Sequence, residues 1–165
     1  MGDVAARQPA RRLSAGAVAL GVGVGGLVDG IVLHQLLQWH HLVTARTTDS
    51  TLSGLETNTF WDGVFHAGMV AIALAGLTLI LRDGRRRRAP TGRAVIAGVL
   101  VGWGLFNLFD EVAFHALFGL HHIRMVDDYL AYDLGFAAAG AALVAAGVLL
   151  EHRRGAVVGW ASKRR

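Results

Sequence analysis

Residues 26–43 read GLVDGIVLHQLLQWHHLV, and residues 107–124 read NLFDEVAFHALFGLHHIR. Both carry D-x4-H-x5-H-H inside an otherwise apolar run: Asp29, His34, His40 and His41 in the first, Asp110, His115, His121 and His122 in the second. Outward from these segments the apolar character continues over approximately residues 13–39 and 94–120, and two further apolar stretches follow over 59–81 and 129–150. A composition of 53% hydrophobic residues is compatible with a soluble domain, but this concentration into four stretches is not. Each stretch reaches the roughly 20 helical residues needed to cross a hydrocarbon core of about 30 Å. Period-2 alternation is missing, and in lipid each backbone polar group must be bonded within its own segment, so helices are expected rather than a barrel. The expected fold is all-α: a four-helix bundle integral to a membrane, forming a single domain over residues 1–165.

The two quoted segments also divide the chain. The helix after each opens on a second short signature, Trp61-Asp62 in the first half and Tyr132-Asp133 in the second. His66 stands four residues beyond Asp62, whereas the matching place in the second half is Ala137. Two tandem helical hairpins are therefore expected, over residues 13–81 and 94–150. Charge sets their orientation. Of the 16 Lys and Arg, only Arg46 and Arg124 fall in the first and third connections. Arg7, Arg11 and Arg12 precede the first stretch, Arg82, Arg85, Arg86, Arg87, Arg88 and Arg93 surround the second connection, and Arg153, Arg154, Lys163, Arg164 and Arg165 follow the last. The positive-inside rule then puts both termini and the middle connection in the cytoplasm, making the chain a multi-pass protein of the cytoplasmic membrane. Hairpins that both start and end inside form a parallel repeat about an axis near the membrane normal. Once the membrane explains the basic residues, nucleic acid is not an expected partner; anionic lipid headgroups are. The first apolar run is too long for the h-region of a signal peptide and contains Asp29, so it reads as a retained helix.

Small residues speak to packing. The GVGVGG run at residues 21–26, with Gly98, Gly102 and Gly104, lets helices approach closely and would equally serve a homodimer or a membrane-protein partner. Trp39, Phe60, Trp61, Tyr129 and Tyr132 gather at the expected outer boundary, as an interfacial aromatic belt does.

Depth turns the spacing into a candidate site. With Trp39 and Trp61 at the boundary and a rise of 1.5 Å per residue, His34, His66 and His115 fall in one layer roughly 8 Å below it. Asp29 and Asp110 lie about 8 Å deeper, and Asp62 and Asp133 about 6 Å shallower than the histidines. A carboxylate at the centre of a spanning helix costs about 2.5–3.5 kcal/mol on insertion scales, so Asp29 and Asp110 must face inward and be paired, protonated or bound. Imidazole with carboxylate suits zinc, copper(II) or iron, and three histidines with an open fourth position is a known metal geometry. Asp29 and Asp110 would then orient the imidazoles or ligate a second ion. The sequence has no cysteine, and its methionines are Met1, Met69 and Met125, which argues against soft-ligand copper(I) handling. In the pairs His40–His41 and His121–His122, adjacent helical residues point about 100° apart, leaving one member of each free to face water. His152 follows the last stretch and is given no role.

At these residues the sequence resembles a bacterial family of small membrane proteins, the domain of unknown function 2243. The resemblance runs from about residue 21 to 150 and is carried by GLVDGIVLHQLLQWHH, WDGVFH, GLFNLFDEVAFHALFGLHH and YDLGF. It implies a four-helix inner-membrane protein, with a loose link to respiratory-oxidase or copper assembly. From the residues themselves, the leading expectation is a metal-handling protein. The alternatives are a b-type haem held by two of the histidines, a membrane-embedded metal hydrolase with Asp62, Asp133 or Asp29 as base, and a small proton or ion transporter lined by Asp29 and Asp110.

Overall fold

A computed structural model describes residues 13–86 and 89–162, with side chains described as far as residue 152. The basic residues Arg7, Arg11, Arg12, Arg87, Arg88, Lys163, Arg164 and Arg165 lie outside the described residues, as do the side chains of Arg153 and Arg154. The described chain is helical: α1 (Ala15–Asp29), α2 (Leu52–Arg85), α3 (Gly92–Asp110) and α4 (Leu130–Ser162). Three of these helices begin on a hydroxyl residue, as free N–H groups at a helix start require. Ser14, Thr51 and Thr91 accept hydrogen bonds from the backbone N–H of Ala17, Gly54 and Ala94. Such a cap contributes about 1 kcal/mol. Among the described residues, four segments are long and apolar enough to cross a membrane: Ala15–Leu36, Leu52–Arg85, Gly92–Leu117 and Leu130–His152.

Two boundaries differ from the hydropathic reading. The second helix starts at Leu52 rather than near residue 59, because the Thr51 cap and the Asn58 amide, which donates to Thr47 O and Gly54 O, hold a polar first stretch helical. The first and third helices do not run on to residues 39 and 120. After Asp29 the chain widens into a π-helical segment, Gly30–Leu36, and after Asp110 into another, Glu111–Leu117. Both end in the same way. Leu37 N–H donates to Val32 O and Trp39 N–H to Leu33 O; Phe118 N–H donates to Ala113 O and Leu120 N–H to Phe114 O. Gln38 and Gly119 then turn the chain with φ of 49° and 55°.

The helices form a row. The central pair is α1 with α3; α2 packs on α1 and α4 on α3, and α2 and α4 do not touch among the described residues. Glycine makes the central contact possible. A Cβ on Gly21 would overlap the Val99 carbonyl oxygen, and one on Gly102 would overlap that of Val18, so the two backbones meet directly. The outward faces are apolar, with Leu36, Leu74, Leu81, Phe109, Leu117 and Leu149 all exposed. Inside, the largest fully buried side chains are His34, His40, His121, Asn58, Asp62 and Asp110. Ala17, Ala97, Val101 and Phe106 are buried as well, so the interior is apolar and small-residue along α1 and α3 and polar at the end that holds the histidines.

Candidate metal centre

An aspartate and a histidine five residues apart stand about 140° apart around an α-helix, on different faces. The π-helical segments remove that separation, because their bonding pairs each residue with the fifth one on. His34 Nε2 accordingly lies 3.4 Å from Asp29 Oδ2, and His115 Nε2 lies 3.1 Å from Asp110 Oδ2. Beyond each π segment the chain folds back as an irregular connection, so the adjacent histidines are not helical neighbours. Instead of one member facing water, His40 and His41 are both buried. His121 is buried too, while the His122 side chain remains 25% exposed.

The four histidines His34, His40, His115 and His121 gather at one end of α1 and α3, each no more than 2% exposed. Each spends its Nδ1 on an oxygen. His40 Nδ1 bonds Ile123 O at 2.9 Å and His121 Nδ1 bonds Leu42 O at 3.0 Å, each reaching across to the other connection. A carbonyl only accepts, so Nδ1 carries the proton in both rings and Nε2 presents a lone pair. His34 Nδ1 bonds Asp62 Oδ1 at 2.9 Å, and His115 Nδ1 bonds Glu111 Oε2 at 2.8 Å. The four Nε2 atoms are buried without a hydrogen-bond partner, as are Asp29 Oδ1 and Asp110 Oδ2. The short Asp–His approaches thus lack hydrogen-bond geometry, although donor and acceptor are close enough for it. Burial, with the neighbouring His121 and His34, pushes the His40 imidazole down to about 2, so this ring stays neutral.

Asp62 and Asp133 stand behind the imidazoles rather than among the free nitrogens. Asp62 accepts from His34 Nδ1, from Leu42 N–H, from His41 Nδ1 at 2.6 Å and from the Gln35 amide, which fills both its oxygens. Asp133 accepts from Ile123 N–H at 2.9 Å and His122 Nδ1 at 2.7 Å, with His115 Nδ1 at 3.5 Å. The separation in depth expected between His34 and Asp62 is bridged by this direct bond. His66 departs from the expected layer of three. Its Nε2 is buried and unpaired, but it occupies the space over Gly30, where a Cβ would overlap it, and it joins none of the histidine–carboxylate groups among the described residues.

Three groups offer donor atoms within 4.8 Å of one another: His34 with His40 and His121, Asp110 with His115 and His121, and Glu111 with His115 and Asp133. Glu111 escaped the reading of the histidine pattern, as did the carbonyls of Leu42 and Ile123. A signal for Glu111 exists in the sequence. One half places Gly directly after the aspartate and has His66 on the next helix, whereas the other has Glu111 after the aspartate and Ala137 in place of the histidine. The carbonyls left no such signal, since any residue supplies one.

Over the cluster the two connections interlock. Ala45 N–H donates to Leu120 O, Met125 N–H to Trp39 O, and the Arg46 guanidinium to Phe118 O. Arg124 bonds Tyr132 Oη at 2.7 Å and lies over the rings of Trp39 and Tyr132, each centroid 5.4 Å away. The chain belongs to the DUF2243 family, described as a predicted membrane protein, which matches residues 16–154. No curated protein and no solved structure matches it.

Proposed function

We propose that this member of the DUF2243 family spans the cytoplasmic membrane with both termini inside and holds a transition metal near the extracytoplasmic face. The ligands are His34, His40, His115 and His121, with Asp29 and Asp110 below them. The observation that carries this reading is the set of four buried imidazoles whose Nδ1 is bonded to oxygen and whose Nε2 has no partner. An Nδ1–H bonded to a carboxylate or carbonyl is the usual support of a metal-bound histidine. Left as a purely structural network, four unpaired buried nitrogens would each forfeit about 1–3 kcal/mol.

Two tandem hairpins account for the matched halves, a reading supported by the two π segments, the paired bonds at their ends and the left-handed residues Gln38 and Gly119. A resident ion suits the surroundings better than a transport path. Toward the cytoplasm from Asp29 and Asp110, α1 and α3 offer no ionisable side chain across residues 15–28 and 94–109. Haem suits them less well. His40 and His121 stack at a centroid distance of 4.5 Å, and His34 and His115 flank them at 4.4 Å and 4.7 Å, which leaves no slot for a porphyrin plane. Holding an ion beneath interlocked connections fits a metal-handling or assembly role, and zinc, iron and copper(II) all match the donor set.

The test is metal content of detergent-purified protein. The native chain retains stoichiometric metal, His121→Ala loses it while still inserting, and His66→Ala keeps it. Equal metal in native protein and His121→Ala overturns the assignment.

A further inference from the structure

We infer that metal enters the cluster through the second hairpin, from an opening beside His122 and past Asp133, Glu111 and His115, and that the first hairpin gives no entry. The inference rests on the proposed metal-binding role and adds the route by which the ion arrives.

The cluster residues match in the two halves, but what covers them does not. In the first half the two oxygens of Asp62 take four donors, from His34, Gln35, His41 and Leu42. The His41 side chain behind it is only 8% exposed, and His66 fills the space over Gly30. In the second half the counterpart of Gly30 is Glu111 and that of His66 is Ala137. The Glu111 side chain is 19% exposed and that of His122 is 25% exposed. Asp133 accepts one hydrogen bond on each oxygen, from Ile123 N–H and His122 Nδ1, which leaves a lone pair on both. His122 lines an opening of about 450 Å³ with Met125, Val126, Asp127 and Tyr129, and Tyr129 stacks on its ring at 3.6 Å. Arg124 is held on Tyr132 and Trp39 and does not line it.

From this opening, donor atoms succeed one another inward. Glu111, His115 and Asp133 offer donors within 4.8 Å of one another, as do Asp110, His115 and His121, and then His34, His40 and His121. Each group shares a histidine with the next: His115 links the first two and His121 the last two. His115 faces both ways. Its Nδ1 lies 2.8 Å from Glu111 Oε2 and 3.5 Å from Asp133 Oδ1, while its Nε2 lies 3.1 Å from Asp110 Oδ2. Beyond His115 the side chains are sealed from solvent, and Asp110 Oδ2 and the Nε2 atoms of His115 and His121 have no hydrogen-bond partner. The order of donors suits a cation shedding its water: carboxylate oxygens meet the hydrated ion, and imidazoles take it once it is dry. An acidic mouth over a low-dielectric interior also raises the local concentration of cations.

Zinc uptake kinetics test this on the full-length protein in detergent. The stripped chain is mixed with Zn(II), and uptake is timed with a chromophoric zinc indicator. The chain has no cysteine, so Val126→Cys places a single thiol at the opening, and Ala45→Cys places one at the matching exposed position of the first connection. Polyethylene-glycol maleimide on Val126→Cys should slow uptake several-fold and leave the final zinc content as it was. The same label on Ala45→Cys should leave the rate unchanged. Asp127→Asn needs no label, and it should slow uptake by roughly fivefold at low ionic strength and less as salt screens the charge. Slowing by both labels, by neither or by the Ala45 label alone overturns the route, as does a native rate in Asp127→Asn; zinc bound in those cases leaves the metal-binding role standing. A native chain that takes up no zinc overturns both.

Discussion

An imidazole whose Nδ1–H is bonded to a carbonyl can offer a partner only its Nε2 lone pair, and Ile123 and Leu42 hold His40 and His121 in that state. At the scale of single residues the site is a matter of such orienting bonds. Asp62 is the most heavily used of them, taking His34, His41, Gln35 and the Leu42 amide at once. Asp62→Asn keeps the shape but cannot accept all four bonds, and metal affinity should fall by roughly 10–100-fold in a chelator competition. Affinity unchanged by this substitution would remove Asp62 from the account. Gln38 holds φ at 49°, where a side chain costs about 1–2 kcal/mol and where the second half has Gly119. Gln38→Gly should raise stability by about 1 kcal/mol in thermal unfolding; a loss would mean that the Gln side chain matters more than the strain. The sequence made most of the histidines and aspartates legible, because ionisable groups are conspicuous in apolar helices. Equal depth put His66 in a layer with His34 and His115, but depth says nothing about which way a side chain turns, and His66 lies over Gly30.

At the scale of elements, the helices were readable from apolar length and their ends were not. Hydropathy cannot distinguish an α-turn from a π-turn, since both accept the same residues. Yet the π segments Gly30–Leu36 and Glu111–Leu117 are what bring Asp29 to His34 and Asp110 to His115. Because the helices give way there, the pairs His40–His41 and His121–His122 sit on irregular connections and divide their work between the cluster and the aspartates behind it. The start of α2 was hidden for a different reason: a cap and an Asn side chain sustain it where apolar residues are sparse. The glycines were read correctly as a close-packing surface. Gly102→Val would drive a side chain into the Val18 carbonyl and should cost at least about 1–3 kcal/mol, seen as a lower melting temperature in detergent. Full stability in Gly102→Val would contradict direct backbone contact between α1 and α3.

For the whole molecule, the row of α2, α1, α3 and α4 puts two glycine-packed helices at the centre and leaves apolar faces outward. Hydropathy announces four helices but not their lateral order, which follows from which small residues meet. Orientation rests on the distribution of basic residues and can be tested separately. The chain has no cysteine, so single cysteines report cleanly. A membrane-impermeant maleimide should label Ser50→Cys in intact cells and Gly84→Cys only after permeabilisation. The reverse pattern would put the histidine cluster at the cytoplasmic face. What neither sequence pattern nor helix order reveals is the direction of the His40 and His121 imidazoles, because that depends on loop carbonyls which any residue supplies.

The central claim is that these imidazoles bind metal, and the most direct test is X-ray absorption at the edge of the metal that purifies with the chain. The account predicts a shell of nitrogen and oxygen at about 2.0–2.2 Å, with the outer scattering of imidazole rings and no sulfur. That imidazole signal should vanish when His34, His40, His115 and His121 are all replaced by alanine. A metal without imidazole scattering, or a spectrum unchanged by the four substitutions, would contradict it.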